Sequence, residues 1–193
     1  MAKEKLQFRP DPSGSSLWSK LYITPTQRKI ILKWALYCLL CVAVLTVQDV
    51  ILSRFSLFGG TFDVIIMVML MICVLEDAQN GGSFLLWMSV FYLFSGSAPG
   101  PYCIFFLTCY GILVSIFRQN FLQHSFSAHM ICTVTAGFAY QISIFGMGLF
   151  LTHTYPGRFG AFLMNAVLGA AVLPLLYPAL TAIRKIGGTS WKE

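Results

Sequence analysis

The chain has 193 residues, 57% of them hydrophobic and only 10% charged, with a formal net charge of +6. A soluble domain carries roughly 25% charged residues, so this composition excludes an ordinary water-soluble globule, and lipid must be the solvent for much of the surface. The positive charge does not read as a nucleic-acid surface. Seven of the thirteen basic residues (Lys3, Lys5, Arg9, Lys20, Arg28, Lys29 and Lys33) precede Trp34, beside the first apolar segment, where anionic membrane lipid attracts them.

Residues 1–24 are expected to form a polar cytoplasmic tail. Pro10, Pro12 and Ser13-Gly14-Ser15-Ser16 oppose regular structure. Leu17, Trp18, Leu21 and Tyr22 then fall on one face of a short interfacial helix. Thr24-Pro25-Thr26-Gln27 has the pattern of a capping box, with Pro25 at the first helical position. It opens a first span through Ile30–Val47 that ends at Gln48-Asp49. On its first turns Arg28, Lys29 and Lys33 are expected to snorkel to headgroups, with Trp34 and Tyr37 at the interface.

Leu57-Phe58-Gly59-Gly60 reads as a turn. A second apolar run, Val64–Leu75, lies between Asp63 and Glu76-Asp77 and is short for a crossing, which takes about 20 residues. Asn80-Gly81-Gly82 reads as another turn, followed by a third run over Ser83–Phe94 and a Gly/Pro break at Ser95–Pro101. The fourth run, Tyr102–Phe117, leads into a polar hinge from Arg118 to His129. The fifth covers Ser127–Leu151 and the sixth Phe159–Ile183, before Arg184-Lys185 and a short tail, 187–193. Pro174 and Pro178 are expected to bend the last helix, because each removes a backbone donor.

The expected fold is therefore all-α, with residues 25–186 forming one polytopic membrane bundle of about six transmembrane helices. Stretches 78–117, 119–157 and 159–183 contain no Asp, Glu, Lys or Arg. Six crossings put both termini on one side. That side collects the seven N-terminal basic residues with Arg118, Arg184, Lys185 and Lys192, while the other has Arg54 and Arg158. The positive-inside rule then places both termini in the cytoplasm. If the second and third runs form one re-entrant hairpin, four crossings remain and the ends stay inside.

No catalytic or cofactor motif stands out. Cys38 and Cys41 form a CxxC around Leu-Leu, with no second pair to complete a metal site. The six cysteines read as unpaired packing residues, and His124, His129 and His153 as loop or interfacial residues. Ala166, Gly169 and Ala170 form a small-residue patch for close helix packing. The charges next to apolar runs are the candidates for partner contact, since an acid near the bilayer costs free energy. Asp49 and Asp63 flank Arg54, which is placed to pair with either. Glu76 and Asp77 have no basic neighbour in sequence and point to Arg118 or a basic partner.

Val47-Gln48-Asp49, Arg54 and Leu57-Phe58-Gly59-Gly60-Thr61-Phe62-Asp63 together resemble a stretch of the rod shape-determining protein MreD family. In that family a Leu-Gln closes the first helix, an apolar-Gly turn follows and Pro-Asp opens the second; here Phe62 stands in the proline's place. Glu76 through Gly81-Gly82 is similar to the family's Glu/Gly turn, and Gly100 ahead of Tyr102 to its Gly-rich break before the fourth helix. The family's acid at the end of the third helix has no counterpart in Ser95-Gly96-Ser97. The resemblance implies a non-enzymatic, cofactor-free protein of the bacterial plasma membrane. Its partners would be an MreC-like membrane protein and cell-wall synthesis proteins, linking cytoplasmic filaments to peptidoglycan synthesis and cell shape. It also implies a fold like that of the S components of vitamin transporters. The rival expectation follows from that fold: a substrate-binding transporter subunit with a pocket near the external face.

Overall fold

The computed structural model describes residues 25–55, 59–121, 125–151 and 153–186. The interfacial helix expected at 17–22, the Thr24 cap, Leu57-Phe58, His124 and the tail at 187–193 lie outside the described residues. Six α-helices account for nearly all of the rest: α1 Pro25–Val50, α2 Val64–Leu75, α3 Ala78–Phe94, α4 Tyr102–Phe121, α5 Phe126–Phe150 and α6 Phe159–Ile186. No strand occurs among the described residues.

Among the described residues, four segments are long and apolar enough to cross a membrane: Gln27–Arg54, Tyr102–Phe121, Phe126–Phe150 and Pro156–Ile186. The other two helices are shorter, 12 residues in α2 and 17 in α3. At 1.5 Å per residue, α2 is about 18 Å long, well under the roughly 30 Å of a hydrocarbon core.

That short helix is the centre of the molecule. Its sequence, Val-Ile-Ile-Met-Val-Met-Leu-Met-Ile-Cys-Val-Leu, has no polar face, and every residue in it is buried. A helix apolar all round belongs inside. The other five helices pack on it, each touching its neighbours in the order α1, α6, α5, α4, α3. The ring closes between α1 and α3 through aromatic contacts, with Phe84 5.2 Å from Trp34 and 6.1 Å from Tyr37 between ring centroids.

Small residues set how closely the wall approaches the centre. Gly81 of α3 leaves only 3.0 Å between the place of a Cβ and the Cys73 backbone. Gly111 of α4 faces Leu85 and Cys73, and Gly137 of α5 faces Met67. Gly169 of α6 faces Met67 Cγ at 2.9 Å and the Asp63 carbonyl at 3.1 Å. Lipid tails are as apolar as leucine, so close packing rather than water exclusion holds such helices together. The expected patch on the sixth helix serves this internal contact.

Outward-facing apolar side chains include Leu39, Phe105, Ile131 and Leu175. The interior holds Ser89, Ser115, Thr133 and Gln141. This arrangement suits a lipid surround, because polar groups inside a bundle can find partners there.

Several local expectations are corrected. Asn80-Gly81-Gly82 is not a turn but the first part of α3, because Gly81 lets that segment press against α2 as a helix. Arg118 does not open a hinge. It lies within α4, and its side chain is fully buried. His129 is not a loop residue; it sits in α5 and is buried. Tyr37 faces the bundle interior, where it is fully buried. Lys33 does not snorkel outward; it turns inward to an acid. Apart from these corrections, the sixth helix carries Pro174 and Pro178 on its exposed side and stays helical through both.

Candidate functional site

The two ends of α2 are where polar chemistry collects, because an 18 Å helix leaves both of its ends recessed within a taller ring. One end lies beside the start of α1 and the close of α6, and is here called the terminal end. The other is the far end.

At the terminal end α2 stops at Glu76. The Glu76 carboxylate accepts from Lys33 Nζ at 2.7 Å and from the Tyr37 hydroxyl at 3.0 Å, both on α1. The Lys33 ammonium also lies 5.1 Å from the Trp34 ring centroid. Arg118 reaches the same residue from α4, but at its backbone: Nη2 donates to the Glu76 carbonyl at 3.4 Å. Arg118 Nη1 lies 3.4 Å from His129 Nε2. Thus Glu76 and Arg118 are brought together, with the carboxylate taken by Lys33. Asp77 is half-buried at the start of α3, and its Oδ1 has no hydrogen-bond partner among the described residues.

At the far end the backbone between α1 and α2 is tied down by α6. Gly59 has φ 79, a left-handed conformation that favours glycine. A Cβ on Gly60 would stand 2.9 Å from both Asn165 Oδ1 and Met164 Cβ. The Thr61 N–H donates to Asn165 Oδ1 at 2.7 Å, and this cross-link seats the next residues. Asp63 precedes the first residue of α2, yet its side chain does not cap that helix. Gln48 of α1 does so instead, its Oε1 accepting the Ile65 N–H at 2.9 Å.

Relieved of capping, the Asp63 carboxylate faces a ring of neutral donors. Gln141 Nε2 of α5 donates to Oδ2 at 3.1 Å. Tyr92 of α3 and Gln48 Nε2 reach Oδ1 at 3.3 and 3.4 Å. The single Tyr92 proton also has the Ser97 carbonyl within reach, at 3.2 Å, and serves one acceptor at a time. Asp63 lies in the segment before α2, outside the spanning helices. Burial pushes its carboxyl up to about 6, opposed by the bonds from Gln141, Tyr92 and Gln48, with the nearby Asp49 charge adding to the rise.

A cavity of about 370 Å³ opens above Asp63. Phe62, Tyr92, Tyr140 and Phe162 line it with aromatic surface, and Asp49, Asp63, Gln141 and Asn165 with polar groups. Tyr140 is buried, and its hydroxyl has no hydrogen-bond partner among the described residues. Among the described residues, no lysine, arginine or histidine lines this space.

The expected local ion pairs of Arg54 do not form among the described residues. Arg54 is exposed in a 3-10 turn, Asp49 accepts from Ser97 Oγ at 2.8 Å, and Asp63 turns inward. Tyr92, Tyr140 and Gln141 were not among the sequence candidates. Gln141 carried a usable signal, as the one side-chain amide in the apolar run of α5. Among the described residues no cluster of His, Cys, Asp or Glu is arranged to hold a metal, and all six cysteines are free thiols. No protein-family model matches the chain, and comparisons with curated proteins and with solved structures give no match either.

Proposed function

We propose that this protein is a non-enzymatic membrane scaffold of the bacterial cell-elongation machinery. It would lie in the plasma membrane with both termini cytoplasmic and bind an MreC-like membrane protein and cell-wall synthesis proteins. One observation carries the reading. Several of the residues behind the resemblance to the MreD family, though not Arg54 or Gly100-Tyr102, converge on the two ends of α2. Gln48 caps the helix and bonds Asp63; Gly59 and Gly60 shape the approach to it; Glu76 closes it; and Gly81 presses on Cys73. Short motifs that build one shared element are better support than the same motifs scattered over a surface.

Conditional depletion in the native host tests this. Rod-shaped cells should widen and round as the protein is lost, and re-expression should restore the rod. Cells that keep their width and growth after full depletion would contradict the proposal.

A second reading, a substrate-binding S component of a vitamin transporter, is favoured by the far-end cavity. Under the proposed orientation that cavity opens outward. Depletion would then abolish uptake of one small molecule and leave cell shape intact.

A further inference from the structure

The far-end cavity joins three properties that need not occur together. It contains a recessed carboxylate, Asp63, that meets only neutral donors among the described residues. Its walls carry four aromatic rings, two of which, Tyr92 and Tyr140, are 2% and 1% exposed. Tyr140, on its wall, carries a buried hydroxyl without a hydrogen-bond partner among the described residues. A carboxylate held within a bundle is stabilised by a cation, and a buried hydroxyl without a hydrogen bond costs free energy. Both deficits are met by one molecule that carries a positive charge and an acceptor.

The walls distinguish what kind of cation. Gln48 presents its amide nitrogen to Asp63 because its oxygen is held by the Ile65 N–H, and Gln141 also presents nitrogen. N–H donors turned toward the acid disfavour a bare metal ion on it. The volume, about 370 Å³, is far larger than an ion requires and lies at the small end of organic-ligand pockets, roughly 300–1,000 Å³. Aromatic faces around a carboxylate suit an alkylated or primary ammonium group, which the ring quadrupoles attract.

We propose that the far-end cavity is a binding site for a small organic ammonium ion that also carries a hydrogen-bond acceptor. Asp63 pairs with the charge, Tyr92, Phe62 and Phe162 surround it, and the Tyr140 hydroxyl donates to the acceptor. The ammonium is either that of a free amine or that of a lipid headgroup, since the cavity lies near the end of a membrane bundle. The assignment is independent of the elongation-complex reading. Under the transporter reading it rests on that reading and names the ligand class.

The titratable groups facing Asp63 are Asp49 from α1, Tyr92 from α3, Cys103 from α4 and Tyr140 from α5, while α6 presents the neutral Asn165. Because Asp63 ionises near pH 6, a permanent cation should bind about tenfold more weakly at pH 5 than at pH 7.5.

The test uses the full chain in phosphatidylglycerol nanodiscs, which contain no amine headgroup, with binding read by saturation-transfer NMR. The probes are choline, ethanolamine and 3,3-dimethylbutan-1-ol, a neutral molecule of choline's shape. The two amines should bind at least tenfold more tightly than the neutral probe at pH 7.5. Choline affinity should fall about tenfold by pH 5, which reports the protein alone because choline does not titrate. Asp63→Asn should weaken choline at least tenfold, and Tyr140→Phe should weaken it several-fold. If either variant fails to fold, the wild-type pH series and the neutral probe decide. Repeating the titration in phosphatidylethanolamine nanodiscs separates the sources: weaker apparent choline binding there assigns the site to a headgroup, and unchanged binding assigns it to a free amine. Equal binding of the neutral probe overturns the ammonium class while leaving a small-molecule site in place. No binding of either amine overturns the site itself, and a choline affinity unchanged by Asp63→Asn overturns the pairing with Asp63.

Discussion

Lys33 and Glu76, 43 residues apart, meet with the ammonium 2.7 Å from the carboxylate and fix the opening turns of α1 to the residue that closes the central helix. The two side chains are only 12% and 10% exposed, so neither is left to water. The Tyr37 hydroxyl completes the acid's shell at 3.0 Å.

Removing one member of a largely buried pair strands the other. Glu76→Gln should therefore lower stability by about 3 kcal/mol, read as thermal unfolding of the detergent-solubilised protein. Charge reversal sharpens the test. Glu76→Lys should be rescued in part by Lys33→Glu and not by Arg118→Glu, because Arg118 meets the carbonyl of residue 76 and not its carboxylate. Rescue by the Arg118 change alone would show that the acid pairs differently.

Gln48 caps α2 from another helix. Gln48→Leu leaves the Ile65 N–H without its acceptor and takes one donor from Asp63. A loss of about 2 kcal/mol follows from an unsatisfied buried donor. Gln48→Glu keeps the acceptor but places a second carboxylate beside Asp63, so its defect should grow as the pH rises. Unfolding curves at pH 5 and pH 8 check both variants; a neutral Gln48→Leu would refute the capping role.

Asp63 gives a pH dependence of definite sign. Its folded-state value of about 6 lies above the unfolded value near 4. The folded state therefore holds the proton more tightly between these values. The stability this contributes is fully present below about pH 4 and is lost as pH rises through about 6. Asp63→Asn keeps the shape without the charge, so it should flatten this part of the profile and equal or exceed the wild type at pH 7.5. A wild type that gains stability from pH 4 to pH 7, with the gain lost in Asp63→Asn, would reverse the assignment.

The bounds of α2, Val64–Leu75, were legible because acids mark both ends of an unbroken apolar run. The last two helices were legible for the same reason of contrast. What the sequence hid is pairing over distance. Arg118 looked like the start of a hinge because its partners among the described residues include a carbonyl 42 residues earlier and a histidine 11 residues later. Gly81-Gly82 looked like a turn because glycine breaks helices in water, whereas here it lets α3 lie against Cys73. Asp49 and Asp63 were recognisable as charges at a bundle end, but not their different fates: one bonds Ser97 and the other turns inward. The cavity depends on Tyr92, Tyr140 and Asn165 arriving from three helices, which no local pattern encodes.

The proposed orientation follows from the excess of basic residues at the terminal end and is checked by single-cysteine labelling. In a background in which the native cysteines are replaced, cysteines placed at positions 20 and 188 should resist a membrane-impermeant thiol reagent in intact cells. They should react after permeabilisation. A cysteine at exposed Arg54 should react in intact cells. External labelling at position 20 or 188 would contradict the topology.

The proposed place in the cell-elongation machinery is tested most directly by purifying the tagged full chain from native membranes and identifying its companions by mass spectrometry. The account predicts an MreC-like membrane protein together with cell-wall synthesis proteins, enriched over an unrelated membrane protein of equal abundance. Recovery of an ATPase pair with a transmembrane coupling subunit, and no wall-synthesis protein, would contradict it.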